Sequence, residues 1–182
     1  MTILNERECL ILIIDIQEKL INASFNKDTI KNKVISLGSA ASILNIPVIV
    51  TEQYPKGLGE TIPELKSALN EETMYFEKTS FSALENAGIA NAIDKSGKKQ
   101  IIICGIETHI CVSQTAHALT KKGYDVSLIK DASGSRKKEE HDAGIDRMKE
   151  NGVHIITTEI ALFEWLKSSR HIHFREVQAL IK

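Results

Sequence analysis

The sequence has few of the residues on which disulfide-bonded, membrane-spanning or nucleic-acid-binding proteins depend. Three of its 182 residues are cysteines, and so small and odd a number argues against a disulfide framework. Lys and Arg total 23 against 24 for Asp and Glu, so no excess of positive charge favours binding to nucleic acid. The apolar runs are too short to cross a membrane. These scarcities favour an ordinary globular protein.

The N-terminal segment lacks secretory character, because Glu6, Arg7 and Glu8 mix charges and no small-residue cleavage site follows. We therefore expect a cytoplasmic protein whose partners include neither a membrane nor a nucleic acid. The length is typical of one domain, so we expect residues 1–182 to form a single domain with a substantial core.

Short apolar runs alternate with longer amphipathic stretches along the chain. The runs are apolar throughout rather than alternating, which is typical of strands buried on both faces of a parallel sheet. The predicted strands are residues 9–15, 46–51, 74–78, 100–104, 125–131 and 153–158. The predicted helices are residues 28–45, 111–122, 138–151 and the tail 171–182.

This alternation predicts a three-layer α/β/α fold of the Rossmann-like type, with a doubly wound, six-stranded parallel sheet of order 3-2-1-4-5-6. Strands 1 and 4 are neighbours in that order, and a crevice for ligands opens at their carboxyl ends. Asp15 ends strand 1 and Cys111 follows strand 4, so both residues should reach the crevice. Residues 51–65 read as a long irregular loop, which is often functional in a compact domain.

The position of Cys111 favours a reactive thiol. It should lie in the first turn of helix 111–122, where free amides and the helix dipole stabilise a thiolate. Asp15 could accept the thiol proton, and Lys78, after strand 3, would keep both groups ionised. Each residue also has an ordinary interpretation: a core cysteine, a helix-capping aspartate and a solvated lysine. Cys9 and Cys104 lie in apolar strands and should be buried.

The six histidines give no sign of a metal site or of a cysteine–histidine pair. They show neither an HExxH motif nor a spacing typical of zinc ligands. His109 should lie on a different helical face from Cys111. We therefore expect no metal and no cofactor. The charged segment 135–142 is expected to be a solvated turn.

Five stretches of the sequence occur in a recognisable order and spacing. They are LIIDIQEKL (12–20), VTEQYPKGLGETIPEL (50–65), FEKTSFSAL (76–84), CGIETHICVSQTAHAL (104–119) and DASGSR (131–136). Together they resemble the isochorismatase-like cysteine hydrolases, also called the nicotinamidase-related superfamily. The resemblance runs from about Leu10 to Trp165, and it is greatest to the subgroup of isochorismatase domain-containing proteins.

The resemblance implies a catalytic triad of Asp15, Lys78 and Cys111. It also implies a cis peptide between Ile106 and Glu107, which turns the Glu107 amide towards an oxyanion beside the amide of Cys111. Nicotinamidases of the family carry metal-binding histidines, but the matching stretch here, TEQYPKGLG, has none. The resemblance therefore does not extend to a metal.

These observations lead to three hypotheses. The first is a cysteine hydrolase that cleaves a small amide or related carbon–nitrogen substrate through a thioester. The second is isochorismatase-type hydrolysis of a vinyl ether, with Asp15 as the acid and Cys111 uninvolved. The third is a non-catalytic interaction protein, and in every case a homo-oligomer such as a dimer or tetramer is expected. Candidate pocket residues are Gln17, Gln53, Tyr54 and Phe81, and candidate oligomer contacts in the tail are Ile172, Phe174, Val177 and Ile181.

Overall fold

The computed structural model describes residues 3–181, which contain a six-stranded sheet whose neighbouring strands are all parallel. The strand order is 3-2-1-4-5-6, so the predicted doubly wound fold is confirmed. The strands are β1 (Cys9–Ile14), β2 (Val48–Gln53), β3 (Met74–Lys78), β4 (Gln100–Ile106), β5 (Asp125–Gly134) and β6 (His154–Ile156).

Helices cover both faces of the sheet and complete the three layers. The helices are α1 (Glu18–Ala23), α2 (Lys27–Leu44), α3 (Pro55–Leu58), α4 (Pro63–Ala68), α5 (Ala87–Ser96), α6 (Ser113–Lys121), α7 (Lys138–Glu150), α8 (Thr158–Leu166) and α9 (Phe174–Ala179). Within residues 3–181, no helix combines the length and the apolar character that a membrane span requires.

The core consists of two apolar layers, one on each face of the sheet. Successive side chains of a strand point to opposite faces, so Ile11 and Ile13 of β1 pack with α2 and α8. Leu10, Leu12 and Ile14 point the other way and pack with α5 and α6. All six residues of β1 are buried, which explains why its sequence is apolar throughout.

Two regions differ from the sequence prediction. The segment 51–65 is not a single irregular loop, because it contains the end of β2, helix α3 and the start of α4. Each of these helices begins at a proline, Pro55 or Pro63, whose fixed φ suits the first helical position. Such short helices depend on tertiary contacts rather than on a periodic pattern, so the sequence did not reveal them.

The C-terminal tail forms a shorter helix than predicted and packs on its own chain. Helix α9 ends at Ala179, and Lys182 lies outside the described residues. Val177 is buried in the same apolar layer as α2 and α8, and Phe174 and Ile181 pack against that layer. Of the predicted oligomer contacts, only Ile172 is strongly exposed, at 86%. The tail therefore leaves little apolar surface for a neighbouring copy.

Candidate active site

The carboxyl ends of β1 to β4 bring four of the predicted site residues to one edge of the sheet. Asp15 directly follows β1, Gln53 ends β2 and Lys78 ends β3, while Cys111 lies shortly after β4. Because β1 pairs with both β2 and β4, these ends lie side by side. Asp15 and Cys111 therefore lie together at the carboxyl ends of strands 1 and 4, as predicted.

Asp15 is buried and held by contacts on both carboxylate oxygens. The hydroxyl of Thr51 donates to Oδ1 at 2.6 Å, and the ammonium of Lys78 donates to Oδ2 at 2.7 Å. Burial raises the pKa of the Asp15 carboxyl, and the Lys78 charge opposes this rise. A carboxylate whose pKa is raised is a stronger proton acceptor than an exposed one.

Lys78 is buried, so it is not the solvated lysine of the ordinary interpretation. Besides Asp15, its ammonium donates to Oε1 of Gln53 at 2.6 Å and to the carbonyl oxygen of Ser80 at 3.3 Å. Its three N–H groups thus have three acceptors, and the side chain is fixed. Both side chains of the ion pair between Lys78 and Asp15 are fully buried.

Cys111 lies in a single π-helical turn, Thr108–Val112, rather than in the first turn of helix 111–122 as predicted. Helix α6 begins two residues later, at Ser113. Cys111 is 6% exposed, and it lies close enough to Asp15 and Lys78 for both charges to act on its thiol. An isolated π turn inside a helix is frequent at functional sites.

The prediction of a resting thiolate at Cys111 is wrong. Burial raises the pKa of the thiol to about 12, and the Asp15 charge adds to this rise. The Lys78 charge lowers the pKa but does not outweigh the other two effects. The thiol is therefore neutral at rest, and a base must take its proton before it can attack.

Gly105 allows β4 to approach the end of β1 closely. Its φ is +126°, and a Cβ atom at this position would lie 1.9 Å from the carbonyl oxygen of Ile14. Only glycine fits both the backbone conformation and the space. This close approach places the residues after β4 beside Asp15.

The turn that follows β4 contains a second fixed carboxylate, that of Glu107. The peptide bond between Ile106 and Glu107 is cis, at the position that the resemblance implies. The main-chain N–H of Arg136 donates to Oε2 of Glu107 at 3.1 Å, and its Nε donates to Oε1 at 3.1 Å. Arg136 thereby ties the segment after β5 to the turn that carries Cys111.

The segment 135–142 is consequently more than a solvated charged turn. Ser135 is fully buried and its hydroxyl pairs with Nδ1 of His109 at 3.0 Å, while Nδ1 of His141 pairs with the hydroxyl of Thr108 at 2.9 Å. Sequence reasoning missed Arg136 as a site residue, although the stretch DASGSR that contains it was part of the resemblance. The charges in this segment suggested exposure to solvent. They carry no information on which residue contacts a buried partner elsewhere in the chain.

The four candidate pocket residues fall into two groups. Gln17 is buried; its Nε2 donates to the carbonyl oxygens of Gln53 and Gly59, and its Oε1 accepts from the N–H of Gln53. Gln17 therefore braces the segment after β2. Gln53 orients Lys78, whereas Tyr54 and Phe81 are 56% and 55% exposed. Tyr54 and Phe81 are therefore accessible at the surface.

Among residues 3–181, no three His, Cys, Asp or Glu side chains gather closely enough to hold a metal ion. His154 lies beside Asp125 at 3.0 Å, at the amino end of β5 and far from the carboxyl edge.

Comparison with known proteins identifies the family. Residues 9–160 match the family described as Isochorismatase domain. The chain belongs to the isochorismatase family. Isochorismatase domain-containing protein 2 of Danio rerio is 35% identical over 178 residues, which cover 98% of this chain and 89% of the relative.

Two solved structures of similar fold carry activities in their names. The MAR1 ribonuclease of Caenorhabditis elegans has a TM-score of 0.92 and 36% identity over 98% of this chain and 91% of its own. The YcaC protein of Escherichia coli, described as an octameric hydrolase of unknown specificity, has a TM-score of 0.88 and 28% identity over 98% of this chain and 94% of its own. Members of the isochorismatase family are generally hydrolases, and a hydrolase is the activity that the comparisons indicate for this chain.

Proposed function

We propose that the protein is a cysteine hydrolase of a small amide or a related carbon–nitrogen bond. The observation that carries this proposal is the buried ion pair of Asp15 and Lys78 at the carboxyl ends of the strands, close enough to Cys111 to act on its thiol. A thiol, a base and a cation that fixes the base are the parts that nucleophilic catalysis requires.

In the first half of the reaction, Asp15 accepts the proton of the Cys111 thiol as sulfur attacks the substrate carbonyl. The carbon–sulfur bond forms, and the carbon–nitrogen bond breaks when Asp15 transfers that proton to the leaving amine. A thioester on Cys111 and a free amine result, and the Asp15 carboxylate is restored.

In the second half, Asp15 takes a proton from water, and the resulting hydroxide attacks the thioester. The carbon–sulfur bond breaks, the product leaves as an acid, and Asp15 returns the proton to the departing Cys111 sulfur. Lys78 keeps Asp15 oriented in both halves through its 2.7 Å contact with Oδ2. No other protein group needs to gain or lose a proton.

The raised pKa of Cys111 agrees with this order of events. A thiol whose pKa is about 12 keeps its proton until a carbonyl is in place, so the free protein does not hold an idle thiolate. Proton transfer to Asp15 is favourable only as negative charge moves from sulfur to the substrate oxygen.

The amides of Glu107 and Cys111 are proposed to bind that oxygen. Two backbone N–H groups directed at a developing oxyanion are a recurring device of acyl transfer. Glu107 is 8% exposed, and Arg136 fixes its side chain. Arg136 is thus a positioning residue, which acts on the reaction through Glu107.

Replacing Arg136 with glutamine should lower kcat about 10- to 100-fold with little change in KM, because a displaced oxyanion donor affects the transition state more than the bound substrate. Steady-state kinetics on an amide substrate measures both constants. R136K should restore part of kcat, whereas K137Q, at the exposed neighbouring position, should behave as wild type. An R136Q protein with unchanged kcat would show that Glu107 needs no such support.

Tyr54 and Phe81 are proposed to contact the substrate. Gln53 orients Lys78, and Gln17 holds the segment after β2 in place. Exposed aromatic rings beside a buried polar cluster suit a substrate with an apolar or planar portion. This arrangement favours amides of small aromatic or branched acids over strongly charged substrates.

The thioester gives the proposal a direct test. The protein is mixed with a panel of small amides, quenched in acid during single turnover and fragmented for mass spectrometry. We expect the acyl group on Cys111, while Cys9 and Cys104 serve as internal controls because both are fully buried. Amide turnover without an adduct on Cys111 would contradict the mechanism.

The MAR1 neighbour of Caenorhabditis elegans is named a ribonuclease, but ribonuclease activity has less support at this site. Cleavage of a phosphodiester calls for cations that face the phosphate. The Lys78 ammonium is instead directed at Asp15, Gln53 and Ser80. Including a short RNA in the substrate panel tests this alternative under the same conditions.

Self-association as a dimer or tetramer is proposed as well. Support comes from the octameric YcaC neighbour and from the edge strand β3, where Met74 and Tyr75 are 37% and 42% exposed. An exposed edge strand is a natural contact for a second copy. Light scattering coupled to gel filtration measures the assembled mass.

A further inference from the structure

Thr51 on β2 contacts Asp15 but has no part in the reaction described above. It is fully buried, and the strand register pairs it with Ile14, the residue directly before Asp15. Its hydroxyl donates to Oδ1 of Asp15 at 2.6 Å, and its carbonyl oxygen accepts from the N–H of Asp15 at 3.1 Å. Thr51 therefore fixes both the main chain and the carboxylate of Asp15.

Strand β2 does not itself require a hydroxyl at this position. The three residues before Thr51, at positions 48–50, are valine or isoleucine, and all three are buried. Valine has the same shape as threonine and suits a buried strand equally well. A buried hydroxyl costs free energy unless it is hydrogen-bonded, and a bond to a carboxylate is among the strong ones. The hydroxyl is thus explained by Asp15 rather than by the strand.

We propose that Thr51 is a positioning residue, which holds the Asp15 carboxylate ionised and in one orientation for proton transfer to and from Cys111. The inference rests on the proposed function, because those proton transfers belong to the proposed hydrolysis. Thr51 contacts Oδ1 and Lys78 contacts Oδ2, so the carboxylate cannot rotate without breaking a hydrogen bond. Each oxygen keeps a second lone pair, which can accept the thiol proton.

The Thr51 hydroxyl limits how basic Asp15 becomes. Burial raises the pKa of the Asp15 carboxyl, while the Lys78 charge and the Thr51 hydroxyl lower it. In the described part of the chain, the titratable groups that face Asp15 are Lys78 on β3 and Cys111 in the π turn. The balance matters because Asp15 must be ionised to accept the thiol proton and must still release that proton to the leaving amine.

Replacing Thr51 with valine removes the hydroxyl and keeps the shape of the side chain. The ionised form of Asp15 loses a hydrogen bond, so the pKa of its carboxyl should rise by about one pH unit. NMR follows the Asp15 carboxyl carbon during an acid titration of isotope-labelled protein, and the signal is identified by its absence in D15N. The acid limb of the pH–rate profile for amide hydrolysis should move to higher pH by a similar amount, since protonated Asp15 cannot accept the thiol proton.

Two further variants separate this role from a structural one. T51S keeps the hydroxyl and should keep the Asp15 titration and the acid limb near their wild-type positions. T158V is the matched control, because the fully buried Thr158 donates its hydroxyl to Oδ1 of Asp131 at 3.0 Å, outside the cluster of Asp15, Lys78 and Cys111. It should leave both measurements on Asp15 unchanged. Thermal midpoints verify folding, and T51A takes the place of T51V if the valine variant does not fold.

An unchanged Asp15 titration in T51V would overturn the proposal, and so would equal shifts in T51V and T158V. A lower rate at every pH with an unmoved acid limb would also overturn it, because Thr51 would then be only structural. If the wild type hydrolyses no amide and the Asp15 carboxyl still titrates at higher pH in T51V, the effect of Thr51 on Asp15 is confirmed and the proposed hydrolysis is the part that fails.

Discussion

Replacing Asp15 with asparagine should make Cys111 easier to alkylate and yet nearly abolish amide turnover. In the wild type, the Asp15 charge raises the pKa of the thiol and the Lys78 charge lowers it. D15N removes the first effect and leaves the second, so the pKa of Cys111 should fall and iodoacetamide should react faster near neutral pH. Turnover should drop about 10³-fold or more, because asparagine cannot carry the proton to the leaving amine.

The asparagine variant is expected to fold. Asp15 has a φ of +53°, and asparagine is one of the few residues that tolerate this left-handed conformation. Its amide oxygen can still accept from Lys78, which also keeps Gln53 and Ser80 as acceptors. D125N, at the opposite end of the sheet, removes a carboxylate that pairs with His154 and is the matched control.

Opposite movement of the two readouts is what distinguishes this mechanism from simpler ones. If Asp15 only activated the thiol, alkylation and turnover would fall together in D15N. If Asp15 only stabilised the fold, the thermal midpoint would fall and both activities would be lost. Rates of alkylation measured by peptide mass spectrometry between pH 6 and about pH 10, beside initial rates of hydrolysis, separate these outcomes.

The sheet could be predicted from the sequence because most of its strands carry their own signal; the short edge strand β3, MYFEK, is mostly exposed and is the exception. Apolar runs separated by helical stretches admit few arrangements, and the doubly wound order follows from connection rules. The predicted strand order alone placed Asp15 and Cys111 together at the carboxyl ends of neighbouring strands. The buried position of Cys9 and Cys104 followed from the same runs, and both are fully buried.

The geometry around Cys111 could not be predicted in this way. A π turn of five residues has no sequence period of its own, so the helix was expected to begin at Cys111 rather than at Ser113. The pKa of the thiol depends on how deeply the turn is buried, and burial is a property of the whole fold. Helix position alone therefore gave the wrong direction for the pKa.

Contacts between distant segments explain the remaining differences. Arg136 follows β5 and binds Glu107 after β4, and Gln17 follows β1 and braces the segment after β2. In each case the two partners are far apart in sequence, and neither residue type is unusual at its position. Only the assembled sheet brings such partners together.

Replacing Cys111 with alanine should remove amide hydrolysis almost completely, by about 10⁴-fold or more, because the nucleophile and the thioester are both lost. The matched control is C104A, which removes the same thiol from a fully buried position in β4. C104A should lose some stability through the small void it creates, but it should keep its turnover within a few-fold of wild type.

The C111A, D15N and C104A variants together decide between the two enzymatic hypotheses. An isochorismatase-type reaction on a vinyl ether needs an acid, which Asp15 supplies, and needs no sulfur. If C111A retains hydrolysis of a vinyl ether substrate while D15N loses it, the ether reaction is the correct one. If C111A and D15N both lose amide hydrolysis and C104A keeps it, the buried cluster of Asp15, Lys78 and Cys111 acts as one catalytic unit.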